Sequence, residues 1–99
     1  MDEFGLAIWY MDDGYFYAKD RNSYIYLGKV LKKEAQIAQQ AILTNFGIRA
    51  RIYDKKQKGF ALFFSVAETK KLHKRIAAHM LLPEFAYKLL PESRKQKPL

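Results

Sequence analysis

Two adjacent carboxylates, Asp12 and Asp13, stand at the end of an apolar stretch and are followed by Gly14. Residues 4–13 are apolar on every side of a helical wheel, which predicts a short helix that must be covered on two sides. Because a helix dipole is negative at this end, each carboxylate there costs about 0.3–1 kcal/mol. A hard divalent cation bound by carboxylate oxygens would offset this cost. The alternative is a solvated turn, and these residues alone leave both interpretations open.

Length, charge and composition limit the classes to which this protein can belong. A chain of 99 residues is enough for one compact domain, and its formal net charge of +8 favours a polyanionic partner, with nucleic acid ahead of an anionic membrane surface. The absence of cysteine excludes disulfides and thiolate sites. The longest apolar stretch, residues 4–11, is far shorter than the roughly 20 residues needed to cross a bilayer. We expect an intracellular protein with no membrane partner and no small-molecule substrate.

Hydrophobic periodicity predicts a helix-strand-strand unit that occurs twice. After the apolar helix, residues 15–19 and 24–27 alternate as strands, with turn chemistry at Asp20–Ser23. The second unit has a helix from about Lys32 to Phe46, a left-handed cap at Gly47, and strands at 48–53 and 60–66.

A third helix is predicted after the second unit. Ser65 and Glu68 form a capping box that opens it, and it extends to about Met80. Pro83 suits the first turn of a last short helix through Leu90. The prediction is an α+β fold of order αββαββα, with one domain at 1–90 and a basic, flexible tail at 91–99.

The alternation of the predicted strands places basic and aromatic side chains on the face opposite the apolar set. Arginine and lysine there would neutralise phosphates or bind guanine edges, and basic loops would contact the nucleic-acid backbone. An ordinary exposed sheet surface is the alternative. The candidate contacts are Tyr15, Tyr17, Lys19, Arg21, Tyr24, Tyr26, Lys29, Arg49, Arg51, Tyr53, Lys55, Lys56 and Lys58.

The segment from Leu6 to Gly14, LAIWYMDDG, resembles the second-motif variant of the LAGLIDADG homing endonucleases, which commonly reads close to L-A-x-W-[FY]-M-D-D-G. The similarity extends to the αββαββα order and to residues 82–89, LPEFAYKL, which resemble the family's C-terminal L-P-x-x-x-Y-K-L segment. Most of residues 4–90 is covered.

The resemblance implies a DNA endonuclease that makes double-strand breaks and depends on Mg²⁺ or Mn²⁺. The family's metal-binding acid falls on Asp13, with the carbonyl of Gly14 or its neighbour as a second ligand, and Asp12 occupies the more variable position. Lys88 matches the basic residue near the active site, where it would stabilise developing negative charge or tune the nucleophilic water.

The resemblance also implies that two motif helices pack side by side at a two-fold axis. Because the chain has one motif, a homodimer on double-stranded DNA is expected, with the helix residues Leu6, Ala7, Tyr10 and Met11 at the interface.

Two other interpretations remain open. Where relatives often carry a polar T-Q-S-F-like stretch, residues 28–33 read GKVLKK, so a non-cutting DNA- or RNA-binding module of the maturase kind is an alternative. The chain could also be one half of a two-motif endonuclease. Elsewhere, His73 and His79 are six residues apart, on different sides of the predicted third helix, and are poor candidates for a shared metal.

Overall fold

A computed structural model describes residues 1–79, 88–89 and 91. Within them the elements follow the predicted order αββαββα, which confirms the α+β fold. The elements are α1 (Glu3–Asp13), β1 (Gly14–Tyr17), β2 (Asn22–Gly28), α2 (Lys32–Phe46), β3 (Arg51–Asp54), β4 (Phe60–Phe64) and α3 (Val66–Ile76). The predicted end of the third helix at Met80, the last helix at 83–90 and the tail at 91–99 lie outside the described residues, except for positions 88, 89 and 91.

Short-range signals set several helix ends. The Asp2 side chain accepts a hydrogen bond of 2.8 Å from the Gly5 amide and caps α1. Gly47 ends α2 with φ 68° and ψ 23°, the left-handed cap that was predicted. Ser65 accepts from the Glu68 amide at 3.3 Å, which confirms the predicted start of α3.

The four strands form one antiparallel sheet in the order β1-β2-β4-β3. The register pairs Ile25 with Leu62 in the two central strands and shifts between Tyr26 and Gly28, where β2 carries an irregularity. Gly59, with φ 93°, lies against this irregularity, and a Cβ atom there would come 1.8 Å from the Gly28 carbonyl oxygen. Only glycine satisfies both the backbone angle and the close approach.

Among the described residues, the three helices cover one face of the sheet and none of them covers the other, which is called the open face. Side chains of α1, α2 and α3 pack against Ile25, Leu62 and Phe64, which have no exposed surface. The core also contains Leu6, Ala7, Tyr10, Ile42, Phe46, Ile48, Ala50, Leu72, Ile76 and Leu89. Because the helices lie on one side only, the sheet can offer its opposite face to a partner.

The first hairpin differs from the prediction at its turn. The turn occupies residues 18–21, and Asn22 already pairs with Tyr17 in the sheet. A hydrogen bond of 2.8 Å from the Arg21 amide to the Tyr17 carbonyl closes the turn, with Arg21 at φ 59°. Turn propensity alone did not locate the turn, because burial of Ser23 on the helix side fixes the register of β2.

The longest helix among the described residues, α2, has 15 residues. In this part of the chain no helix has both the length and the apolar character that a membrane crossing requires.

Candidate functional site

The carboxyl end of α1 brings Asp12 and Asp13 to the surface. Gly14 follows at once, and its amide donates to the Tyr10 carbonyl as the chain enters β1. A Cβ atom at Gly14 would lie 2.3 Å from Cδ1 of Tyr10 and 2.4 Å from its carbonyl oxygen. The glycine is therefore needed by close packing, and it places Asp13 where the helix layer meets the sheet.

Lys88 lies beside this helix end and is only 8% exposed. Its ammonium group donates a hydrogen bond of 2.6 Å to the main-chain carbonyl of Met11. Burial lowers the pKa of Lys88 from its ordinary value, and the negative charges of Asp12 and Asp13 oppose that shift. The structure thus brings together the lysine and the two carboxylates that the sequence singled out.

Asp13 and Gly14 offer oxygen atoms to a cation, but they do not form a closed metal site. Among residues 1–79, 88–89 and 91, no cluster of three or more histidine, cysteine, aspartate or glutamate side chains could hold a metal ion. A cation at Asp13 would need further oxygen ligands from water, from a phosphate or from another polypeptide.

The open face of the sheet is rich in tyrosine, as the alternation predicts. Residues directly opposite each other share a face, and Tyr15, Tyr24, Phe63 and Arg51 form one row across all four strands. The rings of Tyr24 and Tyr26 are nearly parallel, 5.9 Å between centroids. We call this surface the aromatic face; its members are Tyr15, Tyr17, Tyr24, Tyr26, Tyr53, Phe63 and Arg51.

Lys55 contacts two rings of the aromatic face, and other basic candidates lie in the neighbouring turns and loops. The ammonium of Lys55 lies 4.9 Å from the ring centroid of Tyr26 and 5.8 Å from that of Tyr53. Lys19 and Arg21 lie in the hairpin turn rather than on a strand, and Arg49 precedes β3. The remaining candidates, Lys29, Lys56 and Lys58, are exposed in the loops that flank β2 and β3.

Placement of the motif helix corrects the predicted dimer contacts. Leu6, Ala7 and Tyr10 have no exposed surface, and Met11 is 9% exposed, because the sheet and α3 cover this side of α1. They belong to the core of their own chain and cannot present a surface to a second copy. The exposed apolar residues of α1 are Phe4 at 50% and Ile8 at 39%.

Two residues of the open face were missed by sequence reasoning. Phe63 was included in an apolar strand, but its register with Tyr24 and Arg51 places it on the aromatic face, and the Arg51 guanidinium lies 5.8 Å from its ring centroid. Asn22 was assigned to the turn, yet it pairs with Tyr17, and its buried Oδ1 has no hydrogen-bond partner among the described residues. The strand register was the missing information in both cases.

The sequence model of the family described as "LAGLIDADG DNA endonuclease family" matches residues 1–72. The match includes the motif helix, the open face of the sheet and most of α3. The chain belongs to the LAGLIDADG DNA endonuclease family. Lys88 lies beyond the matched residues.

Two other proteins resemble this chain. A protein of Mycosarcoma maydis named "Probable intron-encoded DNA endonuclease 3" is 28% identical over 89 residues, which cover 90% of this chain and 64% of that protein. The solved structure "The homing endonuclease I-WcaI bound to its DNA recognition sequence" superposes with a TM-score of 0.81 at 23% identity, covering 91% of this chain and 41% of that one. The second match supports the fold, and the chain spans less than two thirds of either relative.

Proposed function

We propose that this chain is a site-specific, divalent-metal-dependent DNA endonuclease that makes double-strand breaks as a homodimer. The observation that carries the proposal is the position of Asp13. It is exposed at the junction of α1 and β1, one residue from the strand that begins the aromatic face, and Lys88 lies beside the same helix end. A phosphate bound at the edge of that face would meet both charges.

The metal proposal follows from the donor set. Mg²⁺ keeps several waters and commonly takes one or two carboxylates together with substrate phosphates, so the Asp13 carboxylate and the Gly14 carbonyl fit an open site of this kind. When bound, a divalent cation supplies Lewis-acid polarisation of the phosphate and lowers the pKa of a ligated water. Manganese would serve by the same ligands.

Lys88 would contribute charge to the reaction without leaving the protein interior. Its ammonium is anchored on the Met11 carbonyl and largely shielded from solvent, and a fixed positive charge there stabilises a developing oxyanion more strongly than it would in water. The lowered pKa of Lys88 also eases proton donation to a leaving oxygen.

The aromatic face would bind the duplex. Arg51 and Lys55 are cations held over aromatic rings, and they would contact phosphates or base edges of the duplex. The homing endonuclease I-WcaI, which has a similar fold, is bound to its DNA recognition sequence. We extend that partner to this chain.

The homodimer would form through the exposed stripe of the motif helix, which we define as Phe4, Ile8 and Asp12. These residues recur every four positions and so lie on one side of α1, opposite the core contacts of Leu6 and Tyr10. We also propose that the motif is of the second-motif type. Two stripes packed about a two-fold axis would place two Asp13 carboxylates at neighbouring helix ends, one for each DNA strand.

The test is cleavage of a randomised duplex library in Mg²⁺ by the full chain and by Asp13→Asn. The parent should cleave a selected sequence, and Asp13→Asn should bind the same sequence without cutting it. Asp20→Asn, the same chemical change in the hairpin turn, is the matched control and should still cleave. Binding without cleavage by the parent would reject the endonuclease and support the non-cutting module.

A further inference from the structure

A cluster of buried polar groups connects α3 to the candidate cleavage site. His73 of α3, Ser23 of β2 and Tyr10 of α1 have no exposed surface, and Lys88 is nearly buried. A buried polar group without a hydrogen bond is costly, so these side chains must satisfy one another. Nε2 of His73 lies 3.0 Å from the hydroxyl of Tyr10 and 3.1 Å from Oγ of Ser23.

The direction of the hydrogen bonds follows from counting protons. The hydroxyl of Tyr10 has one proton, which it donates to the main-chain carbonyl of Lys88. The contact between His73 and Tyr10 must therefore be an N–H group of the imidazole donating to the phenolic oxygen. Nε2 of His73 carries a proton, and Oγ of Ser23 is a second acceptor for it.

These hydrogen bonds hold both the main chain and the side-chain ammonium of Lys88. The phenol of Tyr10 binds the main-chain carbonyl of Lys88, while the ammonium of Lys88 binds the carbonyl of Met11, one residue further along α1. The ring of Tyr10 is itself held by the imidazole of His73, with 5.3 Å between ring centroids. The ring of Phe16 meets the same imidazole edge-on at 5.5 Å.

We propose that His73 and Tyr10 are positioning residues for Lys88. They would fix the ammonium group relative to Asp13 and do not touch DNA. The kinetic part of this inference rests on the proposed endonuclease function. A structural role alone would predict lost stability, whereas positioning also predicts a changed environment of the Lys88 ammonium and a slower chemical step at unchanged DNA affinity.

The first measurement needs no activity. In protein labelled with ¹³C at the lysine ε-carbon, the Lys88 resonance, assigned with Lys88→Arg, is followed by NMR in the parent, Tyr10→Phe, His73→Leu and His73→Gln. We expect it to shift in Tyr10→Phe and His73→Leu and to return towards the parent position in His73→Gln, because the glutamine amide can replace the Nε2–H donor. Thr69→Val is the matched control, since Thr69 is also a buried hydroxyl on α3 but donates to the Phe64 carbonyl at 3.1 Å.

The second measurement is single-turnover cleavage of the library-selected duplex at saturating protein in Mg²⁺. Tyr10→Phe and His73→Leu should cleave about 10- to 100-fold more slowly, a range typical of displaced catalytic groups, while the Kd for DNA stays within about twofold. Thr69→Val should cleave at the parental rate under conditions where it is folded.

The outcomes are separable. If the parent cuts no DNA, the proposed function fails, and the Lys88 resonance still decides the positioning proposal. If Tyr10→Phe and His73→Leu leave that resonance where Thr69→Val leaves it, the positioning proposal is rejected even if cleavage is observed. Should both variants fail to fold, ¹⁵N NMR of the parent decides, because a His73 imidazole without a proton on Nε2 would overturn the assigned direction of the bonds.

Discussion

The ammonium of Lys88 and the main-chain carbonyl of Met11 are joined by a hydrogen bond of 2.6 Å across 77 residues of sequence. The carbonyl belongs to the last turn of α1, where the helix dipole is negative and where Asp12 and Asp13 add two further negative charges. The lysine thus supplies positive charge at a helix end where negative charge is concentrated. The same arrangement puts a cation within reach of any phosphate bound at Asp13.

Lys88 should make the free energy of unfolding rise with pH in the alkaline range. Burial lowers its folded-state pKa below the unfolded value, so between these two values the unfolded chain binds more protons and the free energy of unfolding rises with pH. Lys88→Met should lose this rise. The measurement is urea unfolding of both proteins from pH 7 to about pH 10.5, the unfolded pKa of lysine. The raised pKa values of Tyr24 and Tyr26, caused first by burial, act in the opposite direction but cancel in the difference between the two proteins. A difference that does not change with pH would contradict the expectation.

Glu68 should make the free energy of unfolding decrease as the pH falls into the acidic range. Burial raises the pKa of Glu68. Hydrogen bonds from the Arg49 amide at 2.7 Å and from Lys71 lower that pKa by more than burial raises it, so the net shift is downward. A depressed folded pKa means that the stabilisation is present above the unfolded pKa and is lost as pH falls through the folded one. Glu68→Gln should cost about 1–2 kcal/mol at pH 7 and little at pH 2, measured by urea unfolding. Lys71→Gln should cost under about 0.5 kcal/mol, because that lysine is more than half exposed. Equal losses of unfolding free energy in the two variants would show that the ion pair with Lys71, and not the hydrogen bond from the Arg49 amide, provides the stabilisation.

Binding to DNA should depend on salt through the cations of the aromatic face. A plot of log affinity against log salt concentration measures the number of phosphates neutralised, with a slope of about −0.9 for each. If Arg51 contacts a phosphate, Arg51→Gln should reduce the magnitude of the slope by about one, whereas Lys74→Gln on the exposed side of α3 should leave it unchanged. The DNA affinity is measured by fluorescence anisotropy at salt concentrations from about 50 to 200 mM. An altered affinity with an unaltered slope would assign Arg51 to base contact instead.

Dimerisation should be sensitive to the exposed stripe of α1. A charge at Ile8 would lie in the proposed contact between two motif helices, so Ile8→Glu should convert the dimer to a monomer in sedimentation at micromolar concentration. Ile37→Glu introduces the same charge on α2, where the side chain is 62% exposed, and should leave the dimer intact. A parent chain that is already monomeric would mean that the partner helix belongs to another segment of a longer protein.

Much of this protein could be predicted from local sequence. Gly47 and Ser65 set helix ends through backbone angles and side-chain caps that act over a few residues. The alternation of Tyr24 and Tyr26 with Ile25 placed the tyrosines on one face before the sheet was known, because successive strand residues point to opposite sides. Asp13 and Gly14 were identifiable because their motif is contiguous.

Tertiary structure decided the rest. A helix that is apolar all round does not reveal which side meets its own chain, so Tyr10 was assigned to a subunit interface when it lies in the core. Phe63 and Asn22 joined the open face only through strand register, which depends on pairing between distant segments. The sequence presents His73 only as a poor candidate for a metal shared with His79, because its contact with Tyr10 joins residues 63 positions apart. Local periodicity specifies which residues share a face, but only packing specifies what each face meets.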